Sequence, residues 1–517
     1  MNEIIRQRSE ARKQRVTERL DKGNFPEDLS QPMLRASKVH YEVAGRAVGT
    51  ACGGIGLIHQ LACELELARE IDERVHLFKF HLPYHESDHV LNLAYNALCG
   101  GQCLEDLELR RQDEAYLNAL GATRIPDPTT AGDFCRRFDR HQLGQLQAAF
   151  DAARRKIWAR QPKSFFAEAR IEADGTLVET GGECKQGIDL SYKGVWGYHP
   201  LVLTLANTGE VLRLQNRSGN RPSHEGAAAL SDECIALCRS AGFQQIVLRG
   251  DTDFSQTACL DGWHAQGDVK FIFGYDCTAR LHILADDLPA AAWKALKRSP
   301  KYTTKTSAKR QRPARVKQQV VEQRGFKDIR LVDEWVAEMP YRPHACQQTY
   351  RLIVVLKNLA VNDPAQGRLF DDYRYFFYIT NYDDQECTPA EIVFSANDRC
   401  QQENLLAQLN SARALYAPVD NLLANEAYML MTSLAWNLKA WLALRVPLAP
   451  GPGRQAQQRE QQTLLKLEFR TFVNYWMRVP CQVLRTGGKL VLRLLAWNRW
   501  QHVFLELAEQ LSRPLRC

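Results

Sequence analysis

The stretch Leu248-Arg-Gly-Asp-Thr-Asp-Phe254 decides the fold prediction. It continues the apolar residues Ile246 and Val247, and the run ends at the carboxylate of Asp251. This pattern is typical of a short buried strand with an acid at its C-terminal end, where open α/β sheets place their chemistry. One such acid also fits a turn or a helix cap, so its meaning depends on the other acids of the chain.

Two further carboxylates are candidates for the same site as Asp251. A strand-like segment over 165–173 ends at Asp174, and Glu403 lies on an amphipathic helix, opposite its apolar stripe. If their strands are neighbours in one sheet, Asp174 and Asp251 can converge. Three carboxylates from separate elements are the ligand set that two-metal phosphoryl transfer needs, and Mg²⁺ prefers such oxygen ligands. The sequence therefore predicts a phosphodiester-cleaving site at Asp174, Asp251 and Glu403.

Each acid also has a plainer interpretation. Arg399 lies four residues before Glu403, so the two side chains share a helix face and also fit a solvated ion pair. Either aspartate also fits a cap or turn. Asp253 is a rival for the second position, and we favour Asp251 because it directly follows Arg249-Gly250 at the strand end.

The element order predicts a multidomain α/β protein. With 517 residues the chain is too long for one ordinary domain. Between 166 and 275 the predicted order is β-β-β-α-β-α-β, which is the order of an RNase H-like sheet, and a helix over 398–416 completes it. We therefore expect five segments: a helical N-terminal DNA-binding region (1–165), the first part of the RNase H-like core (166–275), a β-rich insertion with a basic loop (276–380), the final core helix (381–420) and a helical C-terminal region (421–517).

Local patterns predict further elements in these segments. Amphipathic helices are expected over 56–71 and 87–98, and a third after Pro128, capped by Thr129 or Thr130. The arginine pair Arg136 and Arg137 on that helix suits DNA contact and equally suits a solvated face. The insertion strands are expected over 319–324, 329–339, 350–357 and 373–380, and the segment 451–460 is expected to be a loop.

The positive charge is concentrated in one block. The formal net charge is only +7, but eleven basic residues and one acid, Glu322, lie between Lys294 and Arg324. Such a block is usually solvated and suits a polyanion, with nucleic acid as the predicted partner. The alternative is a merely soluble loop. The candidate DNA contacts in its centre are Lys305, Lys309, Arg310, Arg312, Arg315 and Lys317.

Cysteine usage and hydropathy argue against a zinc-binding, a secreted and a membrane-spanning protein. The fifteen cysteines are scattered, without a C-x-x-C motif or a credible zinc set, and we interpret them as reduced thiols of a cytoplasmic protein. The N-terminus lacks the apolar core of a signal peptide. No run of about eighteen apolar residues is present, so no membrane span is expected.

Several short motifs together resemble the bacterial insertion-sequence DDE transposases of group 1. The motifs of the catalytic domain are Ile171-Glu-Ala-Asp-Gly-Thr176, Lys185-Gln-Gly187, Gly197-Tyr-His-Pro200, Arg217-Ser-Gly-Asn220, and Leu248-Arg-Gly-Asp251 with Phe254. The upstream motifs are Ser87-Asp-His-Val-Leu91, Gly100-Gly101 and Pro126-Asp-Pro-Thr-Thr130. No single motif is specific, but together they are, and the resemblance as a whole covers most of the chain, from about residue 40 to the C-terminal helices.

The resemblance implies an RNase H-like core with a β-strand insertion, and cut-and-paste transposition at terminal inverted repeats by Mg²⁺-dependent hydrolysis and strand transfer. Asp174 and Asp251 match the two catalytic aspartates and Glu403 matches the glutamate. Together they are expected to bind two Mg²⁺ ions, for which Mn²⁺ should substitute. The implied partners are double-stranded DNA, as inverted repeats and target, and a second copy in a synaptic homodimer. The implied location is the bacterial cytoplasm, at the nucleoid.

The resemblance also assigns residues around these acids. Arg399 matches the arginine of the family's Y-x2-R-x3-E-x6-K signature, whereas Ala396 and Asn410 replace its tyrosine and lysine. Trp335 is a candidate for the insertion-domain aromatic that holds a flipped base in some relatives, against the alternative of a structural tryptophan. The loop residues predicted to contact DNA, or else to be packed and hydrogen-bonded, are Arg217, Asn220 and His224.

Two other functions remain open from the sequence. One is another RNase H-like DNA nuclease, such as a resolvase or a repair enzyme. The other is a non-catalytic DNA-binding protein derived from a transposase, although the presence of all three acidic positions argues against it. Joining of cut ends to target DNA would separate a transposase from both.

Overall fold

The computed structural model describes residues 3–21, 41, 45, 48–80, 83–298, 328–363, 368–448, 451, 453–486 and 489–512. The chain divides into two compact units that are interleaved along the sequence. The first unit contains Met1–Lys163, Gly175–Arg221 and Asn404–Cys517, and the second contains Ser164–Asp174 and Pro222–Glu403. No helix within these described ranges combines the length and apolar character needed to cross a membrane.

The described secondary structure is mixed α and β. The helices are α1 (Glu3–Asp21), α2 (Ile55–Glu64), α3 (Leu67–Asp72), α4 (Glu86–Leu98), α5 (Leu107–Arg111), α6 (Glu114–Leu120), α7 (Pro128–Cys135), α8 (Arg140–Trp158), α9 (Ala227–Ala241), α10 (Thr257–Ala265), α11 (Ala279–Asp286), α12 (Pro389–Asn397), α13 (Cys400–Ser411), α14 (Leu422–Leu444), α15 (Arg454–Lys466), α16 (Phe469–Phe472) and α17 (Gln501–Leu511). The strands are β1 (Val48–Thr50), β2 (Glu168–Gly175), β3 (Val178–Glu179), β4 (Asp189–Leu190), β5 (Trp196–Tyr198), β6 (Leu201–Leu205), β7 (Glu210–Gln215), β8 (Gln245–Gly250), β9 (Val269–Tyr275), β10 (Lys294–Ala295), β11 (Asp328–Tyr341), β12 (Tyr350–Asp363), β13 (Arg368–Thr380), β14 (Cys481–Thr486) and β15 (Lys489–Leu494).

The core of the first unit surrounds α14. This helix is apolar on nearly all sides and buried along almost its whole length, as expected of a central helix, and it packs against α4, α8 and β7. Beside it, the buried carboxylate of Glu210 accepts hydrogen bonds from the indole nitrogens of Trp158 (3.0 Å) and Trp441 (2.7 Å) and from Nε of Arg154 (3.0 Å). This buried charge is therefore fully partnered, which is the condition for tolerating it in a core.

The second unit contains a large mixed sheet. Its strands lie in the order β10-β11-β12-β13-β9-β8-β2. The pairs β2–β8 and β8–β9 are parallel, whereas β9 pairs antiparallel with β13 and the strands β10 to β13 pair antiparallel with one another. Because parallel strands end at the same edge, β2, β8 and β9 present their C-terminal ends together.

Helix α12 covers one face of this sheet. Ile392 and Val393 of α12 share a buried apolar cluster with Ile272 of β9, Val336 of β11 and Ile353 of β12. This packing fixes the position of α12, and α13 follows it after a two-residue turn. The sheet and α12 thus place the segment 398–403 near the strand ends.

The strands predicted before Asp174 and Asp251 are present as β2 and β8, and those predicted over 329–339, 350–357 and 373–380 are present as the longer strands β11, β12 and β13. The predicted strand over 319–324 lies outside the described residues. The helix predicted over 398–416 is present as the shorter α13, Cys400–Ser411, whereas α12 before it was not predicted. Helix α12 begins at a capping box, in which Thr388 and Glu391 exchange hydrogen bonds, with Pro389 at its first position.

Three other local predictions are also corrected. The predicted helix over 56–71 is two helices, interrupted at Glu66 with φ 53°. Helix α7 begins at Pro128 and is capped by Asp127, whose carboxylate accepts from the Thr130 amide, rather than by either threonine. The expected loop over 451–460 contains the start of α15, and the C-terminal region is not purely helical, since β14 pairs with β1 and β15.

Candidate active site

The strands β2 and β8 place two of the predicted acids, Asp174 and Asp251, at corresponding positions of neighbouring strands. They are parallel neighbours in which Glu172 pairs with Arg249, and Asp174 and Asp251 each lie two residues beyond this pair. The side chains of Asp174 and Asp251 are 16% and 39% exposed, so both carboxylates are partly accessible at the C-terminal edge. The convergence of the two aspartates, expected from the sequence, is therefore present in the fold.

A buried ion pair lies directly behind these aspartates. Arg249 contacts the carboxylate of Glu172, and both side chains are almost fully buried. Arg249 also donates through Nη1 to the carbonyl oxygen of Ser395 in α12 (2.7 Å). Burial raises the pKa of the Glu172 carboxyl, although Arg249 opposes that shift. This pair ties β2, β8 and α12 together behind the site.

The backbone around Asp251 is tightly constrained. Its carboxylate accepts a hydrogen bond from the amide of Asp253 (3.0 Å) and caps the short 3₁₀ turn Thr252–Phe254. A Cβ at Gly250 would lie 2.5 Å from Cβ of Phe254, so only glycine fits before this turn. Burial raises the pKa of the Asp251 carboxyl, while Arg399 lowers it. The turn thus fixes the orientation of the Asp251 side chain, while the neighbouring Asp253 side chain is exposed.

The guanidinium of Arg399 lies among all three predicted acids. Its Nη1 donates to Oδ2 of Asp174 at 3.2 Å. Its Nη2 lies 3.7 Å from Oδ2 of Asp251 and 3.5 Å from Oε1 of Glu403. The Arg399 side chain is 14% exposed and that of Glu403 is 63% exposed. The structure therefore brings Asp174, Asp251, Glu403 and Arg399 into one cluster.

This carboxylate cluster opens into a cleft of about 460 Å³. Asp251, Arg399 and Glu403 line one side of the cleft. Aromatic residues from β9 and β13 line much of the rest, namely Tyr275, Tyr375, Phe376, Phe377 and Tyr378. The cleft therefore presents carboxylates and an aromatic surface together.

The carboxylate cluster fits a divalent metal in its chemistry, since Mg²⁺ prefers oxygen ligands and needs few of them. The spacing of the acidic side chains, in contrast, does not match a metal site. Within the described ranges, no group of three or more His, Cys, Asp or Glu side chains is arranged to hold a metal ion. The position between the three acids is taken by the Arg399 guanidinium, which provides the compensating positive charge.

Sequence reasoning missed Asp276, which also lines the cleft. It directly follows β9, the next parallel strand after β8, so the signal that pointed to Asp251 was available here too. The aromatic lining from β13 was also missed. Nothing in the sequence of β13 shows which of its faces lines a cleft.

The signature positions that depart from the family also have defined places. Ala396, at the tyrosine position, lines the cleft and offers no hydroxyl. Asn410, at the lysine position, donates through Nδ2 to Oγ1 of Thr176 at 2.8 Å. A neutral, hydrogen-bonded amide thus replaces the cation that the signature expects there.

The other predicted DNA contacts are not part of the carboxylate cluster. In the first unit, Arg217 is buried and donates through Nε to the His199 carbonyl (2.9 Å), while Asn220 is exposed and donates to Asp189 (2.5 Å). In the second unit, His224 is exposed. Their contact with DNA stays a prediction.

The remaining predicted DNA contacts are Trp335 and residues of the basic block. Trp335 is half-buried on β11, opposite Leu356 of β12, and is not among the residues that line the cleft. Its base-holding role also stays a prediction. Six predicted contacts lie outside the described residues, namely Lys305, Lys309, Arg310, Arg312, Arg315 and Lys317.

Comparison with known proteins identifies a family for this chain. A family model described as "Transposase DDE domain group 1" matches residues 31–515. No curated protein matched. Among solved structures, the chain is similar to that of a piggyBac transposase synaptic complex with hairpin DNA, studied by cryo-EM, at 10% identity over 84% of this chain and 88% of that one. The TM-score is 0.33, too low for that likeness to bear on the fold.

Proposed function

The chain belongs to the group 1 DDE transposases, and we propose that it cleaves the terminal inverted repeats of an insertion sequence and joins the freed 3′ ends to target DNA. The observation that carries the proposal is the carboxylate cluster. Asp174, Asp251 and Glu403 come from two parallel strands and a helix and share one guanidinium beside an open cleft.

We assign the catalytic role to these three acids. They would hold two Mg²⁺ ions, which when bound would activate the attacking oxygen and stabilise the leaving one, and Mn²⁺ should substitute. The rest of the reaction depends on positioning, because phosphoryl transfer has little covalent chemistry for a protein to perform. The Asp253 amide and the Glu172–Arg249 pair hold the two aspartates in place, and Arg399 would contribute a phosphate contact.

The order of elements in the second unit supports an RNase H-like core for this proposal. The parallel strands β2, β8 and β9 carry α9 and α10 between them, and the antiparallel strands β10 to β13 intervene before α12 and α13. This is the arrangement expected of a core whose last helices follow a β-rich insertion. The five sequence segments, with this core at 166–275 and 381–420, are part of the proposal.

Double-stranded DNA is the proposed partner, both as inverted repeat and as target. The basic block between Lys294 and Arg324 would contact phosphates, and Arg217, Asn220, His224 and Trp335 are further proposed contacts. A homodimer is proposed for the synaptic complex, within the cytoplasm of a bacterium and at its nucleoid. The converging acids beside the cleft and the one-sided basic segment both support DNA as the partner.

Strand transfer is the direct test of this function. Purified protein with Mg²⁺, given DNA that ends in the inverted repeats flanking its gene, is expected to join the cut 3′ ends to a supercoiled plasmid. Gel analysis and sequencing of the joints would show insertions flanked by a short target duplication. Cleavage without joining would instead indicate another RNase H-like nuclease, and binding without cleavage a non-catalytic derivative.

The N-terminal helices are proposed to bind the inverted repeat. They form part of the first unit, so a point substitution tests this role better than a deletion. Arg137 on the turn after α7 is exposed, and Arg137→Ala is expected to weaken repeat binding several-fold and to lower the salt dependence by about one phosphate contact. A gel-shift titration in increasing salt would measure both.

Arg69→Ala is the matched control for Arg137→Ala. Arg69 is also exposed in the same unit, but Glu66 and Glu73 already neutralise it by ion pairs of 2.6 and 3.3 Å. Its substitution should leave repeat binding unchanged. An equal loss in the two variants, or no loss in either, would argue against repeat binding through Arg137.

A further inference from the structure

We propose that Arg399 is the resident cation of the carboxylate cluster, holding Asp174, Asp251 and Glu403 together in the metal-free protein and leaving them when a divalent ion binds. This inference rests on the proposed function, which makes the three acids metal ligands. It goes beyond that function because it gives Arg399 two alternative positions and couples the exchange between them to metal binding.

The contacts of Arg399 are the first argument. One planar guanidinium divides its two terminal nitrogens among three carboxylates, and only the contact with Asp174, at 3.2 Å, is a hydrogen bond. Among the residues that the structure describes, the guanidinium has no hydrogen bond or ion pair apart from these three. The groups that hold Arg399 are therefore the same groups that a metal ion would bind.

Charge is the second argument. Three ionised carboxylates face one guanidinium, so the carboxylate cluster keeps a net negative charge. The excess attracts a second cation, but a divalent ion and a guanidinium in the same place would repel each other.

Space is the third argument. Mg²⁺ holds its oxygen ligands at about 2.1 Å, so carboxylate oxygens that share an ion must approach each other closely. A guanidinium between them keeps them apart, which agrees with the lack of a metal-ready group of acids in the described chain. The metal and the guanidinium cannot both occupy the centre of the carboxylate cluster.

The location of Arg399 allows it to leave. It lies in the turn between α12 and α13, where its amide donates to the Ala396 carbonyl at 3.3 Å and its carbonyl accepts from the Gln402 amide at 2.8 Å. Arg399 also lines the open cleft. Its side chain can therefore turn from the acids towards the cleft without breaking a helix.

Metal affinity without DNA tests the exchange. Titration calorimetry with Mn²⁺ is expected to show about tenfold tighter binding for Arg399→Gln than for the wild type, because the ion no longer competes with a resident cation. Arg399→Lys, which keeps the charge, should stay close to the wild type. Arg280→Gln is the control, since Arg280 is an exposed arginine on α11, outside the cleft lining, and its loss should change the affinity less than about twofold.

The proposal is overturned if Arg399→Gln binds Mn²⁺ no more tightly than the wild type, or if Arg280→Gln gains as much. Asp251→Asn separates this inference from the proposed function. If Asp251→Asn binds Mn²⁺ as well as the wild type does, the metal site itself is wrong. If it binds more weakly while Arg399→Gln is unchanged, the metal site stands and the role of Arg399 is wrong.

A second measurement uses the wild-type protein alone, so it does not depend on the folding of a variant. Arginine-selective dicarbonyl labelling, read by peptide mass spectrometry, reports the accessibility of each guanidinium. Adding Mn²⁺ is expected to increase labelling of Arg399 several-fold and to leave Arg280 unchanged. Unchanged or reduced labelling of Arg399 at a Mn²⁺ concentration that saturates the protein would overturn the exchange.

Discussion

Asp251→Asn is expected to lower the rate of DNA cleavage at the repeat end by about 10³-fold or more, because several kcal/mol of charge stabilisation depend on that carboxylate. The substitution is nearly isosteric. Asparagine keeps an oxygen that can accept the Asp253 amide hydrogen bond, so the 3₁₀ turn should remain capped. Single-turnover cleavage of end-labelled DNA in Mg²⁺ measures the loss, and an unchanged circular dichroism melting curve confirms that folding is intact.

Asp253→Asn is the matched control for Asp251→Asn, and it tests which of these two neighbours is the second catalytic acid. The Asp253 side chain is exposed, does not line the cleft and has no ion pair with Arg399 in the described structure. Removing the Asp253 charge should change the cleavage rate by less than about fivefold, since this side chain acts on Asp251 only through a solvated charge. Near-normal cleavage by Asp251→Asn, or an equal loss in the two variants, would show that Asp251 is not the essential acid.

Arg249→Met is expected to reduce the free energy of unfolding by about 3–5 kcal/mol, because it leaves the buried Glu172 carboxylate without its partner. The same change removes the hydrogen bond to the Ser395 carbonyl, which ties β8 to α12. Cleavage should fall as well, since Asp174 and Asp251 follow this pair on the two strands. Urea unfolding followed by circular dichroism gives the stability.

Two further variants test the cause of that loss. Arg239→Met removes an exposed pair with Asp268 in the same unit, and should cost at most about 1 kcal/mol. The double change Glu172→Leu with Arg249→Met removes both buried charges, and should recover most of the stability. If the double variant is as unstable as Arg249→Met, packing rather than the unpaired charge is responsible.

The parts of the site that lie within single segments were predictable. The apolar run before Asp251 and the strand-like segment before Asp174 correspond to β8 and β2, because alternation and burial act on neighbouring residues. The start of α12 carried a readable signal too, in the Thr388-Pro389 cap with Glu391, although the sequence analysis did not predict this helix. Asp276 after β9 was equally readable.

Other features depended on distant partners. The strand β14 pairs with β1, more than 400 residues earlier in the chain, so neither segment alone determines the pairing. The position of α12 depends on the packing of Ile392 and Val393 against residues of distant strands of the sheet. Propensity is a weak guide where tertiary packing decides the course of a helix.

The sequence by itself determined where the acids lie along the chain, which strands carry them, and which family the motifs resemble. It could pair Arg399 only with Glu403, four residues away on a presumed helix. Only the tertiary structure decided that the same guanidinium also reaches Asp174 and Asp251. The reason is physical: local patterns specify strands and helices, whereas the contacts of a charged side chain depend on which distant segments the fold brings within a few ångströms.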